Sequence, residues 1–418
     1  MNFTSDNITG AAPEIMARLV AENDGACLPY GDDAYTKTVE EMFSRAFEAD
    51  VGVMLVGTGT ASNALALASI CPPYGAIFCR RGSHIEYEEG GAAEHLSGGA
   101  KLVPIDGIDG KLAAETLDAT IGAYSPAAVF YRPAAVSITQ VTEFGTVYSV
   151  AEIRAIAEVT HRHGLKLHVD GARFANAVAS AECTLADMSW KAGVDVLSFG
   201  ATKNGALAAE AVVYFDKSLM RGAAELRKRA GMLWSKHRFL AVQWQACLTG
   251  DLWLHLARTA NARARSLAEE LEKFPLAELV YAVDANEVFV RLPDPTIDSL
   301  EADGFAFYRC GEGVIRLVTS FATTEADVQH FVRAVEADLE GRSGKRRSRT
   351  SALGRKASRW GVPEDFAGIA VLRAHAAPRF GTAASFASAS TKLRRYYSEK
   401  NTQLSVRRGT IAQAKVTA

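Results

Sequence analysis

Short apolar runs alternate with longer amphipathic stretches along the first 250 residues. The runs lie at 51–56, 76–79, 101–105, 127–131, 165–169, 194–199 and 211–215, and 136–140 prolongs the region after 127–131. The amphipathic stretches lie at 13–23, 35–47, 61–69, 113–122 and 151–163. Brief apolar runs between polar turns predict buried strands, and the stretches between them predict helices. That alternation predicts an α/β fold, a mostly parallel sheet with helices on both faces. From about Asp251 the pattern changes. A long helix is expected at 253–274, strands at 288–292 and 314–319, and a helix at 325–339. Strand pairs against helices suit a small α+β domain. After Arg342 periodicity is lost. The expected organisation is therefore an N-terminal arm and large domain at 1–250, a small C-terminal α+β domain at 251–341, and a disordered basic tail at 342–418.

Two of the runs end on polar residues that carry chemistry. The run at 165–169 stops at Asp170, and Arg173 follows three residues on. The run at 194–199 stops before Thr202 and Lys203. Taken alone, such residues read as a turn cap and a surface lysine. Presented together at the carboxyl ends of buried strands, where open α/β sheets bind ligands, they suit pyridoxal 5'-phosphate. Lys203 would bond to the cofactor aldehyde, Asp170 would pair with the protonated ring nitrogen, and Arg173 is a nearby cation. Upstream, Gly57, Thr58, Gly59 and Thr60 precede a helix. Small residues there let backbone amides approach a phosphate, with Gly59 and Thr60 as the cradle and Thr202 adding a hydroxyl. Arg316 sits between Ile315 and Leu317 in a strand. A buried Arg needs a partner, and a substrate carboxylate is one it binds bidentately. His84 and Glu89 stand out after the run at 76–79. Asp32 and Asp33 read as loop caps in preference to a metal pair. His161 and His163 point different ways on a helix, and no metal is expected.

The residues HVDGAR (168–173) and the Thr-Lys-Asn turn (202–204) resemble the L-threonine aldolase branch of the fold-type-I enzymes that use pyridoxal phosphate. FTSDN (3–7), YGDD (30–33), GTGTASN (57–63), SHIEYEEGG (83–91) and IRLVTS (315–320) follow in the family's order, as far as about residue 341. The chain is most similar to the low-specificity L-threonine aldolases. That resemblance implies a fold-type-I transferase-like architecture, and cleavage of threonine, allo-threonine or β-phenylserine to glycine and an aldehyde. It implies that the His84 ring stacks on the cofactor ring, that Glu89 lies near the substrate, and that Ser5 assists Arg316. Arg173 would touch cofactor and substrate, and Lys236, with Arg229, would reach a cofactor phosphate in a neighbouring subunit. Gln140 falls where the family often carries Asn. The YGDD loop would lie at a subunit interface of a homodimer or homotetramer. His84 and Glu89, acting directly or through water, are both candidates for the base on the β-hydroxyl. A β-eliminating lyase and an aminotransferase share the cofactor and remain alternatives.

Composition adds limits. Hydrophobic residues make up 48 % and charged residues 22 % of 418, an ordinary globular balance. The net charge of -2 gives no general affinity for nucleic acid. Charge is nonetheless uneven, with 17 Lys and Arg against 3 Asp and Glu in residues 342–418. A protein that uses this tail on RNA or a membrane surface, its catalytic domain silent, is an alternative of another class. The intact Lys203 and Asp170 speak against silence, and the tail lacks interleaved aromatic residues. Six scattered cysteines without a CxxC pair predict reduced thiols in the cytoplasm. MNFTSDNITG has no apolar core, so no signal peptide is expected, and no apolar run reaches the roughly 18 residues of a membrane span.

Overall fold

The computed structural model describes residues 1–124 and 131–345. The strand expected at 127–131, all but its last residue, and the tail from 346 onward lie outside the described residues. The larger sheet contains β1 (Gly52–Val56), β2 (Gly75–Arg80), β3 (Lys101–Ile105), β4 (Arg132–Thr139), β5 (Lys166–Gly171), β6 (Val196–Gly200) and β7 (Glu210–Tyr214). Their order across the sheet is β1-β7-β6-β5-β4-β2-β3. The pairs from β3 through β6 are parallel, and β7 pairs antiparallel with both β6 and β1. So β7 alone runs against the rest. The carboxyl ends of β1, β2, β4, β5 and β6 therefore share one edge, together with the amino end of β7.

Local side-chain chemistry starts the helices. The Asp33 side chain accepts from Thr36 N at 2.8 Å and caps Ala34–Ala46. Ser149 and Glu152 form a capping box on Val150–Arg162. Thr58 caps Gly59–Ile70 through Ala61 N. Behind the sheet, Phe199 of β6 is fully buried against Phe43, Phe47, Phe174, Trp244 and Trp253. This aromatic packing fixes the strand that leads into Lys203.

The smaller sheet contains β8 (Glu278–Leu279), β9 (Glu287–Arg291), β10 (Tyr308–Arg309) and β11 (Val314–Val318), all antiparallel in the order β10-β11-β9-β8. The helices Leu252–Leu271 and Glu325–Lys345 cover it. One helix serves both cores. Trp253, Leu256 and Ala257 of Leu252–Leu271 pack with the larger sheet, and Ala264, Leu267 and Leu271 pack with the smaller. The N-terminal arm joins the smaller core: Phe3 meets Phe331 edge-on at 5.4 Å, and Phe3 N donates to Ala306 O.

Candidate active site

At the shared edge, Asp170 lies in register with Thr139 of β4 and Ser198 of β6. It is buried. Its Oδ1 accepts from Ala172 N at 3.1 Å and its Oδ2 from Asn63 Nδ2 at 2.9 Å. Two residues earlier, His168 is clamped between the hydroxyls of Ser137 and Ser198 at 2.9 and 3.0 Å. Burial pushes its pKa down to about 4, so it is a neutral support inside the sheet.

His84 opens a short helix, His84–Tyr87, just beyond β2. The Glu143 carboxylate accepts from His84 N at 2.9 Å and from Thr139 Oγ1 at 2.7 Å, tying this helix to the end of β4. His84 Nδ1 meets Glu89 Oε1 at 2.8 Å, and Asn63 Nδ2 donates to the same oxygen at 2.8 Å. The Glu89 side chain is 0 % exposed, whereas that of His84 is 35 % exposed, so only the imidazole is open to a ligand. The Glu89 hydrogen bond raises the His84 pKa against the opposing effect of burial. Burial raises that of Glu89, and the His84 and Asn63 donors oppose the rise. One ligand atom each from His84, Glu89 and Asp170 falls within 4.8 Å of the others.

Lys203 lies in the 3-10 turn Thr202–Asn204 that follows β6. Asn204 pins the turn by donating to Trp253 O at 2.7 Å. Gly205 ends it with φ near 94°, a conformation open to glycine. Lys203 is half-buried, and among the described residues its amine makes no hydrogen bond or ion pair. Its charge acts on Asp6, His84 and Glu210. Thr202 Oγ1 accepts from Ala209 N at 3.2 Å. Burial lifts Glu210, opposite Gly200, to about 7 while Thr202 and Lys203 oppose it.

At the end of β1, the Thr58 cap uses the Ala61 amide and leaves those of Gly59 and Thr60 without intrahelical acceptors. They follow the carboxyl end of β1, on the same edge of the sheet. A side chain at Gly57 would run into the Trp234 ring.

A second cluster joins the arm to the smaller sheet. Arg173 is gripped by Asp6, Nε to Oδ2 at 2.7 Å and a terminal nitrogen to Oδ1 at 3.1 Å, and its other terminal nitrogen lies 3.4 Å from Glu287. Asn286 also donates to Asp6, at 3.1 Å. Burial alone would raise the Asp6 pKa, but Arg173 and Lys203 outweigh it and hold the carboxyl below its usual range. Arg316 is held more loosely. It donates to Thr4 O at 3.2 Å, lies 3.6 Å from Glu287, and stands over the Tyr308 ring. Among the described residues, its buried Nε and both Glu287 oxygens have no hydrogen-bond partner. Ser5 caps the turn Asp6–Ile8 and touches Asp6 Oδ1 at 3.3 Å.

The fold thus brings Lys203, Asp170, His84, Glu89, Gly59, Thr60 and Thr202 to one edge, with Arg173, Arg316 and Ser5 beside it. Lys236 and Arg229 are exposed and join neither cluster. Gln140 spends both ends of its amide on the backbone of Tyr148. His161 and His163 pair separately with Asp195 and Asp118. Sequence reading assigned no role to Asn63, Asp6, Glu143, His168 or Glu287. Asn63 left a trace as the amide in a helix of otherwise small and apolar residues, and Glu287 as an acid heading an apolar strand.

A mostly parallel sheet with an amine, a buried carboxylate and free helix-start amides at one edge defines a pyridoxal-phosphate type of site. The beta-eliminating lyase family model matches residues 2–294. The low specificity L-threonine aldolase of Pseudomonas aeruginosa is 41% identical, over 80% of this chain and 96% of that protein. The enzyme of the same name from a Pseudomonas species is 39% identical over 80% and 97%. A solved Leishmania major threonine aldolase superposes with a TM-score of 0.76 at 28% identity, covering 81% of this chain and 99% of that one. The chain belongs to the beta-eliminating lyase family, in its low-specificity L-threonine aldolase branch.

Proposed function

We propose that this protein is a pyridoxal-phosphate-dependent lyase that cleaves L-threonine, allo-threonine and β-phenylserine to glycine and the corresponding aldehyde. The carrying observation is the convergence of His84, Glu89 and Asp170 within 4.8 Å beside the unpaired amine of Lys203. The residues present suit the cofactor: an amine for its aldehyde, a buried carboxylate for its ring N–H, and the amides of Gly59 and Thr60 with the Thr202 hydroxyl for its phosphate. When bound, the cofactor supplies an electron sink for the Cα–Cβ bonding pair.

The chain supplies the rest. Asp170 holds a proton on the ring nitrogen, and the His84 ring covers the site. Arg316 binds the substrate carboxylate, assisted by Ser5, and Arg173, anchored on Asp6, borders both cofactor and substrate. His84, oriented by Glu89, takes the β-hydroxyl proton directly or through water. Lys236 completes the phosphate site from a second subunit of a homodimer or homotetramer. Exposed Leu28, Tyr30, Leu207 and Trp234 support such an interface. Cytoplasmic location rests on six free cysteines and on the lack, among the described residues, of a helix long and apolar enough to cross a membrane. The segments 1–250 and 251–341 act as large and small catalytic domains, and the tail is dispensable.

Product analysis tests this reading. After a bound chromophore is verified, threonine and phenylserine should yield glycine with acetaldehyde and benzaldehyde. Pyruvate and ammonia from serine would instead indicate β-elimination, and a keto acid aminotransfer. Light scattering on the purified chain checks the assembly, since a monomer would remove the role given to Lys236.

A further inference from the structure

Asn63 occupies a place that the reaction chemistry alone does not require. It lies one turn into the helix Gly59–Ile70, fully buried among Ala and Leu. Its two amide hydrogens go to different carboxylates, Glu89 Oε1 at 2.8 Å and Asp170 Oδ2 at 2.9 Å. Its own Oδ1 is buried with no partner among the described residues. An amide that leaves its carbonyl unpaired in order to bridge two acids is held there by those acids. Glu89 Oε1 is also the oxygen that meets His84 Nδ1. A continuous line therefore runs from the partly exposed imidazole through Glu89 and Asn63 to Asp170.

We propose that Asn63 is a positioning residue that keeps Glu89 and Asp170 ionised side by side and so couples His84, on the substrate side, to the carboxylate that serves the cofactor ring. The inference rests on the role proposed above for Asp170. The physical argument is charge. Two carboxylates this close repel, and in a buried site one of them takes up a proton unless a donor lies between them. The titratable and charged groups facing this line are Glu88, 3.6 Å from His84 Nε2, Glu143, which accepts from His84 N, Lys203 from the β6 turn, Glu210 from β7, and Arg173 and His168, which act on Asp170. No other amide donor reaches both acids among the described residues. Removing the Asn63 N–H groups withdraws partial positive charge, so the His84–Glu89–Asp170 group should hold its proton to higher pH.

The test uses the full chain carrying Asn63→Ala, with Asn63→Asp as a near-isosteric second variant. Histidine NMR titration, with and without bound cofactor, should move the His84 transition upward by about one pH unit, a tenfold change in proton affinity. The acid limb of kcat/KM for phenylserine should move with it, and kcat should fall at least tenfold with KM little changed. Asn63→Asp, which adds a third acid, should move the transition further. If thermal stability falls while the His84 titration and the pH profile stay at wild type, Asn63 is only a packing residue and the proposal is overturned. The same holds if both variants keep wild-type rates. The NMR readout does not depend on which amino acid is cleaved. A wild-type protein that releases no aldehyde would therefore refute the proposed activity while leaving the coupling measurable.

Discussion

On the larger sheet, Asp170 receives a donor on each oxygen, from Ala172 N and Asn63, and Glu89 Oε1 receives two, from Asn63 and His84. On the side formed by the arm and the smaller sheet, Arg173 is as tightly held, in a two-point grip by Asp6. Arg316 and Glu287 are not: they face each other at 3.6 Å without a hydrogen bond. The contrast separates groups whose geometry is set in advance from one held by a single hydrogen bond, to Thr4 O. Preorganised polar groups cost no rearrangement when charge develops. A guanidinium already satisfied in two places, as Arg173 is, has less to offer an incoming carboxylate than Arg316 has.

Five experiments bear on that contrast, and the largest effect belongs to the larger sheet. Asp170 is buried with both oxygens accepting, so Asp170→Asn should leave the fold intact and lower kcat by on the order of 10²-fold or more. An unchanged kcat would mean that another group serves the ring nitrogen. Asp6→Asn removes a buried charge from Arg173 and should cost about 3 kcal/mol of stability, read by denaturant unfolding. The sign with pH follows. Because Asp6 lies below the ordinary carboxylate range when folded, its contribution is full at neutral pH and disappears as pH falls through the folded value. A variant as stable as wild type at pH 7 would show that Glu287 alone suffices.

Arg316→Lys should do the reverse, leaving stability alone and weakening substrate by about 1.5–3 kcal/mol through loss of the bidentate fork. Equal KM values in the two proteins would break the comparison. His84 comes next. Its partner Glu89 raises its pKa above the ordinary 6.5. If neutral imidazole is the base, kcat/KM should rise with pH through a midpoint above that value, and a midpoint below it would rule out the assignment. The smallest effect is expected at the tail, where composition alone is the motive. Deletion of 346–418 should leave specific activity and Tm nearly unchanged, and a large loss of either would tie the tail to catalysis or folding.

Much of this site was legible along the chain. Strands that are apolar throughout are buried on both faces and covered by helices, and where such strands alternate with helices their carboxyl ends are the place to look for chemistry. Asp170, Lys203 and the Gly57–Thr60 stretch each stand where an apolar run stops, and it is their occurrence together that marks them. The reversed direction of β7 could not be found in this way, since an apolar run carries no direction. Residues that act through distant partners were also hidden. Asp6 meets Arg173 across 167 positions and Asn286 across 280, and Asn63 meets Asp170 across 107. A sequence pattern reports the neighbours of a residue along one element and the face it presents. Which donor answers which buried acid depends on how separate elements pack, and only the tertiary structure decided that Asn63 would stand between Glu89 and Asp170, and that Arg173 would be gripped at two points where Arg316 is held more loosely.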